Sequence, residues 1–238
     1  MREIRHIRMH DQVYDEICKS LMAGQFEPGQ QLSSRKLAAL LGTSDMPVRT
    51  ALSRLIAEGG LVRKSNATIC VPRCSRRSFK EGMDLRAVVE GYATRLACSR
   101  LTEQDYKSLD RYASALEDAR STNDVRQYLD ANRNLKFAIY NKCGSEMLLH
   151  TLGMLWLKVG PFLRSLSSEL GQIAAANFHR EAISALRRRD GAAAAAAIRK
   201  DIRAGRDLLL AHAKFGDEPA EGGPGQGVRR NAKRHSRR

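Results

Sequence analysis

The stretch GTSDMPVRTALSRLIAEGG, residues 42–60, gathers charge and hydrogen-bonding capacity at the leading end of one short helix. Val48, Ala51, Leu52, Leu55 and Ile56 form an apolar stripe, and Met46, Arg49, Thr50, Ser53 and Arg54 lie off it. A guanidinium in that place can grip a phosphate or read guanine through two parallel hydrogen bonds. A helix that offers its N-terminal residues to the major groove needs this layout. Pro47 is tolerated because an N–H in the first turn has no intrahelical acceptor. Asp45 is the anomaly, an acid where phosphates would lie. It either complements the positive helix start behind a Ser44 N-cap or accepts from a cytosine amine, and the cap is the preferred reading. Taken alone, the segment also reads as a solvated amphipathic helix with two stray arginines.

Other chemistries find less material. Five cysteines include no CxxC pair, and Cys70 and Cys74 have no second Cys/His pair nearby to complete a zinc site. They read as buried or incidental thiols. No nucleophile–base motif, Gly-rich phosphate loop or usefully spaced carboxylate pair is present, so an enzyme is not expected. The 238 residues carry a formal net charge of +15, spread along the chain, which suggests a polyanionic partner. With no signal peptide and no apolar run of membrane-spanning length, the expected home is the cytoplasm, with no membrane partner.

The elements that would position these residues follow from periodicity. Val13, Ile17 and Leu21 mark a first helix over 11–22, and AGQFEPGQQL gives a turn and a short extended segment. SSRKLAALLG is a second helix, capped by Ser33 or Ser34 and stopped at Gly42. LVRKSNATICVP folds about Ser65-Asn66 as a hairpin. Three helices and a hairpin make a winged helix-turn-helix over 1–74. RCSRRSFKE is a basic connector. Residues 75–215 then predict an all-α antiparallel bundle of six or seven helices, punctuated near Thr102, 121–124, Gly144, Gly171 and Asp190-Gly191. The fold class is therefore mainly α. Trp156, with Leu155, Leu157, Phe162 and Leu163, reads as core or pocket wall, His150 as a core or edge histidine, and the alanine run at 192–197 as a close-packing helix. Residues 216–238, Gly/Pro-rich and then basic, predict a disordered tail.

The segment from Gly24 to Val62 resembles the DNA-binding domain of the GntR family of bacterial transcription regulators. Gly24, Pro28 and Gly29 match its G-x-x-x-P-G turn, and Leu37, Ala38, Leu41 and Gly42 match its L-A-x-x-L-G helix. Pro47, Val48, Arg49, Ala51, Leu52 and Leu55 match its P-V-R-x-A-L-x-x-L helix, with Gly60, Leu61 and Val62 entering the wing. The resemblance implies DNA contacts from Arg35, Asp45, Met46, Arg49, Thr50 and Asn66. Asp45 departs from the arginine often found there, and KSNAT lacks the common wing glycine.

Residues 79–212 are similar to the FCD-type ligand-binding domain of the FadR branch. Arg86, Glu90, Ala93, Leu96 and Ala97 carry its R-x-x-x-E-x-x-A-x-x-L-A pattern. Many such domains hold a divalent metal through one aspartate and three histidines. Here Asn132 stands for the aspartate, Lys136 for the first histidine and Asp201 for the third, and only His179 is retained. A lysine ammonium repels a divalent ion, so no metal cofactor is expected. Two readings stay open for Arg86, Asn132, Lys136, His179 and Asp201. Either Lys136 pairs with Asp201, or Arg86, Lys136 and His179 form a one-sided cationic pocket for a carboxylate effector. The resemblance thus implies a ligand-responsive regulator, most simply a repressor, that binds a palindromic double-stranded operator as a homodimer. The competing class is a sequence-independent architectural DNA binder, with an enzyme in the bundle cavity less favoured.

Overall fold

The computed structural model describes residues 9–166 and 177–216. Residues 167–176, which include Gly171, and the basic tail from 217 onward lie outside the described residues.

Helices α1 (Met9–Met22), α2 (Ser34–Leu40) and α3 (Asp45–Ala57) form the first unit with strands β1 (Gln31–Leu32), β2 (Val62–Arg63) and β3 (Ile69–Cys70). The strands pair antiparallel in the order β1-β3-β2, with Gln31 and Val62 both opposite Cys70. The expected hairpin is therefore the wing, and the extended segment before α2 supplies its third strand. Val13, Ile17, Leu21, Leu37, Val48, Leu52 and Leu55 close the core beneath. Ser33 caps α2, its hydroxyl accepting from the Lys36 N–H at 3.5 Å. Ser44 occupies the N-cap position of α3, but its hydroxyl makes no capping bond, which corrects the expected cap.

The second unit comprises α4 (Arg76–Ala97), α5 (Glu103–Ser121), α6 (Val125–Tyr140), α7 (Glu146–Val159), a 3-10 turn (Gly160–Leu166), α8 (Phe178–Arg187) and α9 (Gly191–His212). Among the described residues, its punctuation near Thr102, 121–124, Gly144 and Asp190-Gly191 is where the sequence put it. Thr102 and Asp105 form a capping box, and Asp124 and Asp190 accept from the third N–H of α6 and α9. The basic connector, however, is largely helix: Ser75 caps α4, and only residues 71–75 link the units. The alanine run lets α9 lie close along α4, with Ala194, Ala195 and Ala197 buried. Trp156 is core, whereas His150 is exposed on α7. Among the described residues, no helix is long and apolar enough to cross a membrane.

Phe79, Phe162 and Phe215 cluster within the bundle with ring centroids 5.1–5.6 Å apart, and beside them the Gly216 N–H donates to the Cys74 carbonyl at 2.9 Å. The segment after α9 thus returns to the linker. Across the junction between the units, Gly160 meets the last turn of α1 backbone to backbone, and Gly60 lies against Leu157 of α7.

Candidate DNA-reading face and effector site

The first site lies on the leading half of α3. Val48, Ala51, Leu52 and Leu55 anchor the helix inward, so Met46, Arg49 and Thr50 must face out. Arg49 is 73% exposed, and its Nε lies 3.5 Å from Asp45 Oδ2 in an i,i+4 ion pair. An exposed pair of this kind is worth about 0–1 kcal/mol, so DNA can take the guanidinium over readily. Asp45 is therefore neither a bare competitor for phosphate nor an N-cap. It sits in the first turn, where the helix start is positive, and its buried Oδ1 has no hydrogen-bond partner. Thr50 donates its hydroxyl back to the Met46 carbonyl at 3.2 Å. Arg35 is exposed at the start of α2.

In the wing, Asn66 is exposed, and its Oδ1 accepts from the Thr68 N–H at 3.1 Å, shaping the tip. Ala67 takes the left-handed φ of 63° that a glycine would adopt without strain. The missing wing glycine is thus replaced by an Asx turn and one strained alanine. Arg54 is structural. It bonds Glu58 at 2.9 Å and lies 3.8 Å from the Tyr14 ring centroid, clamping α1 to α3.

The second site lies inside the bundle. Asn132 and Lys136, four apart on α6, share a face and meet His179 of α8 and Asp201 of α9. Lys136 Nζ lies 2.6 Å from Asp201 Oδ2 and 3.8 Å from Glu90 Oε2, and its side chain is 3% exposed. His179 Nε2 is 3.0 Å from Asn132 Oδ1 and 3.7 Å from Asp201 Oδ1. Arg86 donates to Glu90 at 2.5 Å and stacks 4.1 Å over Trp156, while Tyr140 donates to the other Glu90 oxygen at 2.5 Å. Burial pushes His179 below the usual imidazole range, so it is neutral at physiological pH. Burial opposes ionisation of Asp201, but Lys136, seconded by His179, overrides it and holds the carboxyl below its ordinary range.

The five residues marked from sequence do converge, with one correction: the pocket is not one-sided. Glu90 and Asp201 offset Arg86 and Lys136, so the formal charges cancel. Glu90 and Tyr140 were the missed members. Their signals were present, Glu90 one turn beyond Arg86 and Tyr140 one turn beyond Lys136, but neither spacing announces burial.

These residues do not fit the divalent ion that the resemblance associates with this domain. An ammonium has no lone pair to donate and already stands against the Asp201 carboxylate, and Asn132 Oδ1 is engaged by His179. Among the described residues, no group of three His, Cys, Asp or Glu side chains is placed to hold a metal.

Comparison with known proteins agrees with both halves. Residues 9–71 match the model of bacterial regulatory proteins of the gntR family, and residues 81–204 match the FCD domain. The HTH-type transcriptional regulator McbR of Escherichia coli K12 is 31% identical over 164 residues, covering 69% of this chain and 74% of that protein. The probable D-xylose utilization operon transcriptional repressor of Paenarthrobacter nicotinovorans is 26% identical over 175 residues, 74% of this chain and 77% of that one. The solved structure of E. coli McbR/YncC superposes with a TM-score of 0.79 at 27% identity, covering 86% of this chain and 98% of that one. With an exposed arginine at the head of α3, a three-stranded wing and an FCD bundle behind them, the chain belongs to the gntR family of bacterial transcription regulators and carries an FCD domain.

Proposed function

We propose that this DNA-binding regulator recognises a palindromic operator as a homodimer and acts as a repressor. A small organic acid in the bundle releases it, without a bound metal. Arg49 carries the reading. It is held outward at the leading end of α3 by the buried Val48, Ala51, Leu52 and Leu55, and among the described residues a weak surface pair restrains it. A twofold dimer would set two such helices about one DNA turn apart. Selection of duplexes from a random pool tests this directly. The expected product is an inverted repeat with half-sites spaced by roughly ten base pairs. Arg49→Ala is expected to weaken binding to the selected duplex by about 1–3 kcal/mol while changing random-DNA binding far less. Equal affinity for selected and random DNA, with a steep salt slope, would instead establish the architectural class.

The homodimer reading is supported by α4. Leu85, Val88 and Tyr92 stand 49%, 62% and 47% exposed along one face of that helix. Three large apolar groups at i, i+3 and i+7 exceed the scattered exposure normal for a monomer. We commit to a second copy of this chain as their partner. Val88→Asp combined with Tyr92→Ser is expected to turn a dimer into a folded monomer in sedimentation velocity. A variant that stays dimeric would place the interface elsewhere.

A further inference from the structure

Beside the charge cluster lies a cavity of about 40 Å³, lined by Arg86, Tyr128, Asn132, Lys136 and Asp201 together with apolar groups that include Leu129. Its polar lining is uneven. Asp201 and Glu90 engage Lys136, and Asn132 Oδ1 is engaged by His179. Arg86, 2% exposed, gives Nε to Glu90 and Nη1 to the Met83 sulfur at 3.6 Å, and Nη2 makes no hydrogen bond to the described residues. A buried guanidinium with spare N–H groups calls for an oxygen acceptor, and a carboxylate is its best-matched one. The space admits a group of carboxylate size and little more.

Leu129 also lines a second and wider cleft, of about 540 Å³, at the junction of the two units. Its walls are Ala23, Gly24 and Gln25 from the winged unit and Val125, Arg126 and Arg164 from the bundle. This cleft is basic. Arg126 is exposed, and among the described residues Arg164 is restrained by an exposed contact of 3.8 Å to Glu27. The two spaces meet at Leu129, so one molecule displacing that side chain would occupy both.

Building on the reading that the bundle binds an acidic effector, we infer that this effector is a dianion. One carboxylate meets Arg86 in the small cavity. The body passes Leu129, and a second acidic group lies between Arg126 and Arg164. Such a ligand touches Gly24 and Gln25 directly. It therefore biases how the winged unit seats on the bundle without a relay through the core.

The test is titration of the full-length protein with straight-chain dicarboxylates from succinate to pimelate and with the matching monocarboxylates, read by calorimetry and thermal shift. One chain length of diacid is expected to bind roughly tenfold or more tightly than its monoacid counterpart. Arg126→Gln combined with Arg164→Gln changes only the exposed cleft. It should erase that preference and leave monoacid binding intact, and Arg86→Lys should weaken both. A diacid preference that survives the double substitution, or no acid bound by the unaltered chain, would overturn the proposal. Binding to the selected duplex, measured on the same proteins, separates the outcomes: operator binding without acid binding sinks the dianion but not the regulator.

Discussion

Replacing Lys136 by methionine is expected to lower stability by about 3–5 kcal/mol, roughly 10 °C in Tm for a chain of this size. Methionine keeps most of the aliphatic stem, so packing loss is small. What disappears is the cation 2.6 Å from Asp201, whose side chain is only 12% exposed. The buried carboxylate then keeps only weaker compensation among the described residues, from His179 at 3.7 Å and from the charge of Arg86. The pH dependence identifies the cause. In the unaltered chain the Asp201 pKa is depressed, so its contribution is present above the ordinary carboxylate value of about 4 and is lost as pH falls through the lower folded value. Without Lys136, burial dominates and raises that pKa. The deficit is then largest at neutral and alkaline pH and shrinks as acid protonates the carboxyl. His179, 3.7 Å away, gains a reason to protonate and acts in the same direction. Lys136→Met with Asp201→Leu should recover most of the loss, because replacing both members of a buried pair by apolar groups is close to neutral. A single-variant deficit under 1 kcal/mol, or one independent of pH between 8 and 5, would remove Lys136–Asp201 from the framework of the bundle.

The second large effect is expected at Gly160. A Cβ there would stand 2.5 Å from the Leu21 carbonyl oxygen and 2.6 Å from Met22 Cα, both backbone atoms that no rotamer change can move. Gly160 is the C-cap of α7, so less than the interior preference of about 1 kcal/mol for alanine over glycine is open to Gly160→Ala. The collision acts the other way and wins, with a net loss of about 2–3 kcal/mol, because α1 must withdraw from the bundle. Thermal unfolding should also broaden or split as the two units lose their mutual support. Equal or greater stability of the alanine variant would show that the units are not seated by this contact. Because the same turn brings Arg164 to the junction cleft, the variant also tests whether the seating of the winged unit governs operator affinity.

Much of this protein is written locally. Thr102, Asp124 and Asp190 announce their helices because a cap needs only its next three residues. The stripe from Val48 to Leu55 fixes which side of α3 is buried, and so fixes Arg49 outward before any neighbour is known. The motifs around Gly24–Val62 and Arg86–Ala97 placed both halves in their family. Lys136 among the would-be ligands is a matter of residue type, which the sequence states without any geometry. Other features were not local. Ser44 has the right type for a cap and the right backbone, yet its hydroxyl makes no capping bond. The Arg86–Glu90 spacing is indistinguishable from a solvated surface pair, and only α6, α7 and α9 closing over it make it a buried one. Residue type marked Lys136 as a cation and Asp201 as an anion, but their 2.6 Å approach joins helices some sixty-five residues apart in the chain. Gly160 gave no sign of its contact with α1. Sequence fixes what depends on the nearest few residues, through hydrogen-bond reach and helical period. Tertiary structure alone decides which charges leave water together, because desolvation depends on everything that surrounds them.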